Sequence, residues 1–597
     1  MNAKQSAVAA ALAAVRHSVP GPGSSVMISD VMVRDTAQRV DRSAIVERVD
    51  HWAQADAGGP GGHPELFTKR ALLVVMLVCA RLERPMLATV WVDIMCHSLT
   101  PTVRAELGIP PAPAPDDQKG WDAYYRNVRT RFHAIERLMD FSLYPKNRRY
   151  TAEEMVDRIR DLTPERTAVL RHRQTWFINK VVQISHTVAP RELWRRWGGA
   201  MAVDATPVGT FARHAERTRA KKNRTIVVHS ADPDAGWYVK EGDHSDVDGL
   251  PGGTPTKLLW GYEHTLVFAG AATKAERGLF PKLLLGIAPP HRPGESPGRN
   301  GLTAATEAHH AGWSSGPEGR LLAGDNAYVN ANPADYAQPL RLLGIDLVHD
   351  FNRIQTGLQG SHEGALLVDG RWYCPAMPPV LISATTDHRA DRIDYDIWQR
   401  RLTDRQAFEL RPKAKANADG SIRMLCPAAG IAPTARCEHK PASMVRRHQR
   451  NRRIDLNHLL QQDPPKVCRQ KSITITPEAR GRFEQPLRHG TEEWRVAYQT
   501  LRSTNEGGNG IAKDGARQNI EDPQCRRIRG QAANALITAF MHCAENIRLI
   551  LSFAEKAIID EAGELRLPYS ARKNPKTHRD VTPPTPASGD PPHEKTT

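Results

Sequence analysis

Apolar residues in the first third of the chain recur every three or four positions, the period of a helix that buries one face. The pattern predicts helices over 66–82, 121–141 and 176–197, with Gly/Pro clusters at 57–64 and 109–115 breaking the run. Ala71 to Ala80, ALLVVMLVCA, is apolar on every side and reads as a buried helix. It is half the length of a membrane span, and Lys69, Arg70 and Arg81 bracket it.

From about Gly198 the period shortens. WYVK at 237–240 and KLLWGYEHTLVFAG at 257–270 alternate and are aromatic or β-branched, as strands are. Short apolar approaches lead to Asp204 in AVDATP and to Asp325 in LLAGDNAY, so each aspartate is expected to end a strand. PKLLLGIAPP at 281–290 and GIDLVHDF from Gly344 add strands. Helices are expected at 303–313 and 334–343, the latter despite Pro339. Strands, helix, strand, helix, strand in this order predict an α/β sheet with helices packed on it. Residues 356–490 are rich in Pro, Gly and Arg, with strand-like pieces ALLVDGRWYCP, SIRMLCP and KSITITP, and read as a partly β insertion. A helix-like run from Leu501 to about Leu551 follows. The chain therefore divides into a helical N-terminal region (1–195), a first core segment (196–355), the insertion (356–490), a closing helical segment (491–565) and a polar tail (566–597) expected to lack structure.

Length alone, 597 residues, implies two to four domains. A formal charge of +16 favours a polyanionic partner, nucleic acid above all. The excess is concentrated in a helix carrying Arg126, Arg129, Arg131 and Arg137, in the loop with Lys221, Lys222 and Arg224, and in the run with Arg446, Arg447 and Arg450. Each could grip a phosphate backbone without reading bases, or be a solvated surface. Eight cysteines with no close pair fit a reducing compartment, hence the cytoplasm. Cys374, Cys426, Cys437 and Cys468 all fall in the insertion. None has CxxC spacing, so free thiols are expected, with structural Zn²⁺ as the alternative. The alanine-rich start closes at Arg16 and reads as a frayed or amphipathic helix rather than a secretory signal. No membrane partner is expected.

Candidate chemistry centres on LRSTNEGGNGIAK, 501–513. At helical spacing Arg502, Glu506, Asn509 and Lys513 share a face. A carboxylate set among guanidinium, amide and ammonium suits a divalent metal held beside a phosphodiester. If Asp204 and Asp325 reach the same sheet edge, the three carboxylates can hold two Mg²⁺ about 4 Å apart. The bland alternative is an aspartate capping a turn and a glutamate on a solvated face. Gly507, Gly508 and Gly510 weaken a helix by about 1 kcal/mol each, so the helix starts there or its backbone approaches DNA.

With these residues in place the chain resembles the DDE transposases of bacterial insertion sequences, which have a ribonuclease-H-like fold. Asp204 in AVDATP, Asp325 in LLAGDNAY and Glu506 in RSTNEGGNGIAK carry the resemblance. The 181 residues from Asp325 to Glu506 match members with a domain inserted before the last catalytic helix. In one branch the glutamate motif places Arg four residues before Glu and Lys seven after it, as Arg502 and Lys513 are here. That branch has Tyr three positions before the Arg; Tyr498 is four before. The resemblance implies a ribonuclease-H-like mixed sheet, Asp204, Asp325 and Glu506 as metal-binding catalytic residues, two Mg²⁺ (Mn²⁺ substituting), and DNA contacts from Arg502, Asn509 and Lys513. It also implies double-stranded DNA as partner, a homodimer in the synaptic complex and a nucleoid-associated location. A catalytically inactive DNA-binding derivative and a structure-specific nuclease of the same fold are the alternatives.

Overall fold

Six strands form a mixed sheet in the computed structural model, which describes residues 27–57, 66–142, 163–214, 230–240, 257–311, 320–440 and 451–556, with four two-residue strands between 558 and 581. The strands are β1 (Met201–Gly209), β2 (Gly236–Lys240), β3 (Lys257–Ala269), β4 (Leu284–Ile287), β5 (Arg320–Ala323) and β6 (Ile345–Val348). β1 runs antiparallel to β3 from Met201 opposite Ala269 to Gly209 opposite Gly261. β2 and β4 share the far edge of β3 at its two ends. On the other side β5 is parallel to β1, and β6 is parallel to β5. The parallel pairs need crossovers, and helices supply them.

The helices that position the site are α1 (Lys69–Arg81), α2 (Gln118–Arg137), α3 (Pro164–His186), α4 (Pro297–His310), α5 (Glu492–Ala512) and α6 (Gln531–Lys556). Ala71 to Ala80 are buried throughout, as the unbroken apolar run implied. α4 begins six residues before the expected Thr303, with Pro297 in its first turn, where a missing N–H costs nothing. It packs so closely on the sheet that a Cβ at Gly286 of β4 would lie 2.2 Å from the Ala304 carbonyl oxygen. Pro339 is tolerated for the same reason as Pro297: it falls in the first turn of Ala337–Leu342.

One apolar core takes in residues of α1, α3, α6 and the sheet. α6 is long and apolar enough to cross a membrane, yet every residue from Gln531 to Ile547 is buried in this core. Its polar residues Asn534, Thr538, His542 and Asn546 recur at helical spacing. Asn546 completes the outer edge of β4: Leu284 N–H donates to Oδ1 at 2.9 Å, and Nδ2 donates to the Leu284 carbonyl at 2.8 Å. Asn179 of α3 does the same for Ile287 at 2.9 and 2.8 Å. Side-chain amides thus stand in for a neighbouring strand.

The segment 356–490 holds two three-stranded antiparallel sheets, Leu358–His362 with Ala365–Val368 and Arg371–Tyr373, and Arg411–Pro412 with Ile422–Leu425 and Ser472–Ile475. It has apolar clusters of its own around Trp372 and Phe408. A fully buried ion pair, Arg405–Asp369 at 2.6 Å, lies between its helices and strands. The closing run departs from expectation. α5 starts nine residues before Leu501, capped by Thr491 with Glu492 and Glu493 in its first turn, and a loop over 513–530 separates it from α6. That loop is polar and broken by Gly515 and Pro523, so it has no apolar face for a helix to bury. The alanine-rich start lies outside the described residues, as does the polar tail apart from its short paired strands such as Arg572–Lys573 with Asp580–Val581.

Candidate functional site

Asp204 lies within β1, not at its end. The strand continues to Gly209 because Ala205–Gly209 stay paired with Gly261–Thr265 of β3. What does end near Asp204 is the pairing on the other side: β5 meets β1 only at Met201 and Ala202. Beyond that point the two parallel strands separate, which leaves the Val203 carbonyl without a β5 partner and the half-buried Asp204 side chain lining the gap. Asp325 follows Gly324, one residue beyond the end of β5. It caps the short helix Asn326–Val329, accepting from the Ala327 N–H at 2.9 Å. The fold therefore brings both aspartates to one strand divergence, where ligands of open α/β sheets commonly bind.

α5 crosses this gap. Asn505 donates from Nδ2 to the freed Val203 carbonyl at 3.0 Å, and Asn509, one turn on, donates to Asp204 Oδ2 at 2.9 Å. The two amides fix the helix's position and rotation. That rotation turns Arg502 and Glu506 to the rim, with Arg502 Nε 3.6 Å from Glu506 Oε1 and the glutamate side chain 70% exposed. The helix runs through its glycines. A Cβ on Gly508 would lie 2.8 Å from the Phe268 ring of β3, so glycine there lets the backbone press onto the sheet. Lys513 caps the C-terminus of α5, near enough for its charge to act on Asp204.

Asp204, Asp325, Glu506, Arg502, Tyr498 and Asn505 line one cleft of about 90 Å³. Burial and the neighbouring Asp325 push the Asp204 carboxyl up to about 7, against the pull of the Ala205 N–H, Lys513 and Arg502. Two carboxylates crowded in this way form an all-oxygen donor set of the kind a hard divalent cation neutralises. Among the described residues no three acidic, histidine or cysteine side chains are gathered as a ligand set. Glu506 would complete one by turning from Arg502 into the cleft, a rotamer change its exposure leaves open.

Tyr498 and Asn505 were not singled out as site residues by motif spacing. Tyr498 stacks on Trp494 at 5.4 Å and 8°, and its hydroxyl accepts from Arg502 at 3.5 Å. Four positions before Arg502 is one helical turn, and that was the available signal: a separation of four shares a face more closely than the branch motif's three. Asn505 is likewise one turn before Asn509. Of the neighbours of Asp325, Tyr328 is buried in ring contact with Tyr336, while Asn326 is exposed. On α2, Arg126, Arg129 and Arg137 face solvent and Arg131 is half-buried. Lys221, Lys222, Arg224, Arg446, Arg447 and Arg450 lie outside the described residues. Comparison of the chain with protein-family models, with curated proteins and with solved structures finds no match.

Proposed function

We propose that this chain is a DDE-type transposase that hydrolyses phosphodiester bonds at element ends and joins the freed 3′-hydroxyls to target DNA. The observation that carries the reading is the meeting of Asp204, Asp325 and Glu506, distant along the chain, on one cleft with Arg502. The strand order and directions also support it. A central strand with two antiparallel neighbours in succession on one side and two parallel strands on the other is the layout a ribonuclease-H-like core requires.

In this reading Asp204, Asp325 and Glu506 hold Mg²⁺. The bound ions would supply activation of water or a 3′-hydroxyl and neutralisation of the leaving oxygen. Asn509 holds Asp204 in place, and Asn505 fixes the helix on which Glu506 and Arg502 stand. Arg502 and Lys513 provide guanidinium and ammonium for the non-reacting phosphate oxygens. The exposed arginines of α2 add a sequence-independent grip on the DNA backbone.

The outward turn of Glu506 toward Arg502 favours a second reading, a catalytically silent DNA-binding derivative. Nicking of supercoiled plasmid with Mg²⁺ separates the two. The transposase reading expects nicking by the native chain and DNA binding without nicking by Asp325→Asn. Binding by both with nicking by neither supports the silent derivative. Cleavage without joining of pre-cut 3′-hydroxyl ends would point to a structure-specific nuclease.

A further inference from the structure

We propose that Cys374, Cys426, Cys437 and Cys468 form a tetrahedral thiolate site for a structural zinc ion within the segment 356–490. The four thiols are far apart in sequence, but the fold places three of them directly after a strand and the fourth in a short helix. Cys374 directly follows the strand Arg371–Tyr373, Cys426 follows Ile422–Leu425, and Cys437 follows Ala435–Arg436. Cys468 lies in the short helix Lys466–Arg469 that leads into Ser472–Ile475, the partner strand of Ile422–Leu425.

Backbone bonds tie these turns together. Cys426 N–H donates to the Lys471 carbonyl at 3.0 Å, and Lys440 N–H donates to the Cys437 carbonyl at 3.0 Å. The buried Lys440 ammonium reaches back from the Cys437 turn to the carbonyls of Val467, Cys468 and Gln470. Cys437 packs against both the apolar group that contains Cys374 and the one that contains Cys426. Cys374 is within electrostatic reach of the other three, Cys468 of Cys426 and Cys437, and Cys426 of Cys437.

Burial pushes all four thiols above their ordinary value, and nearby donors and one ammonium oppose that push. Cys374, Cys426 and Cys437 each receive a backbone N–H from two residues on, Ala376, Ala428 and His439 respectively. The repeated turn aims a donor at each sulfur, the outer support that metal thiolates need. Lys440 adds a positive charge beside Cys426, Cys437 and Cys468. All four cysteines are free, and no three of them stand at metal-ligand spacing in this structure. Binding would draw the four turns inward: four S–H bonds break, four Zn–S bonds form, and four protons pass to solvent. Four soft ligands without an open position select zinc in a structural role. The segment also has use for a staple, since its apolar side chains are split among small separate clusters.

The test uses the full-length protein purified with reductant and without chelator, and is independent of any DNA-processing activity. Elemental analysis should find about one zinc per chain, as a closed four-thiolate site requires. Replacement by Co²⁺ should give the visible absorption of tetrahedral cobalt thiolate. Cys437→Ser and Cys468→Ser should each lose most of the metal, while Cys525→Ser, outside the cluster, should keep it. Because the variants could fail to fold, the metal content and cobalt spectrum of the unaltered chain decide the matter. A folded, zinc-free chain whose four thiols react freely with a thiol reagent, or whose cysteines pair as disulfides under reductant, overturns the proposal.

Discussion

Asn509 on α5 and Asp204 on β1, 305 residues apart, are joined by an amide–carboxylate hydrogen bond of 2.9 Å. It makes the orientation of the buried aspartate depend on the helix that also carries Glu506. Asn509→Ala removes the donor and leaves Asp204 free to turn. In the transposase reading, the Mg²⁺ concentration for half-maximal plasmid nicking should then rise about 10–100-fold, the usual effect of losing such a supporting bond. The stability loss should be only about 1 kcal/mol by urea denaturation. An unchanged Mg²⁺ requirement would show that the bond has no part in the chemistry.

Two glycines of α5 should respond oppositely to alanine. Gly510 has open space where a Cβ would stand, so Gly510→Ala should stabilise by roughly 0.5–1 kcal/mol through helix propensity alone. At Gly508 the new methyl would meet the Phe268 ring, so Gly508→Ala should be neutral or destabilising by about 1–2 kcal/mol after the propensity gain. Denaturation midpoints of the two variants measure the difference. Equal gains from both would mean the helix stands off the sheet.

The edge of β4 offers a third measurement. Asn546→Leu keeps the size of the buried side chain but strips the partner from the Leu284 N–H, while His186 Nε2 still reaches the Leu284 carbonyl at 2.8 Å. The N–H left unpaired in the core should cost roughly 1–3 kcal/mol. Thermal denaturation should show a clear fall, and native-state hydrogen exchange should locate the loosening at 284–287. A variant as stable as the parent would mean water replaces the amide.

The buried histidines should act against the fold in acid well above the ordinary carboxylate range. Burial holds His186 and His542 down to about 4 and His349 down to about 3, with the Arg526 charge adding to the effect at His542 and Arg341 at His349. Burial likewise keeps His264 well below its ordinary value, with His542 and Arg526 next in effect. An unfolded histidine titrates near about 6.5, so between that pH and about 4 the unfolded chain binds the more protons. The histidines' contribution is then full above about 6.5 and falls as pH drops through this window, while the carboxyls of Asp204, Asp234 and Glu307, which burial pushes up to about 7, act in the opposite sense. Urea midpoints at pH 7 and pH 5, compared between the parent and His264→Leu, should differ in slope by about one proton. A pH dependence identical in His264→Leu and the parent would refute the buried neutral histidine.

Periodicity set much of this molecule in advance. The buried helix at 71–80, the strands at 237–240 and 257–270 and the short strands of 356–490 follow from local burial patterns, which the chain carries residue by residue. The mixed α/β class follows from their order. What local pattern could not reveal was continuation and convergence. β1 outruns Asp204 because a partner strand about 60 residues on keeps pairing with it, and α5 begins at Glu492 because its cap, Thr491, lies ten residues before the motif. Nor does spacing show that Tyr498 and Asn505 share the cleft with Asp204, or that four scattered cysteines lie on neighbouring elements. Side-chain period reports which face of an element is buried. Which faces meet depends on strand register and on the long-range hydrogen bonds that fix one element's rotation against another, and these exist only in the folded chain.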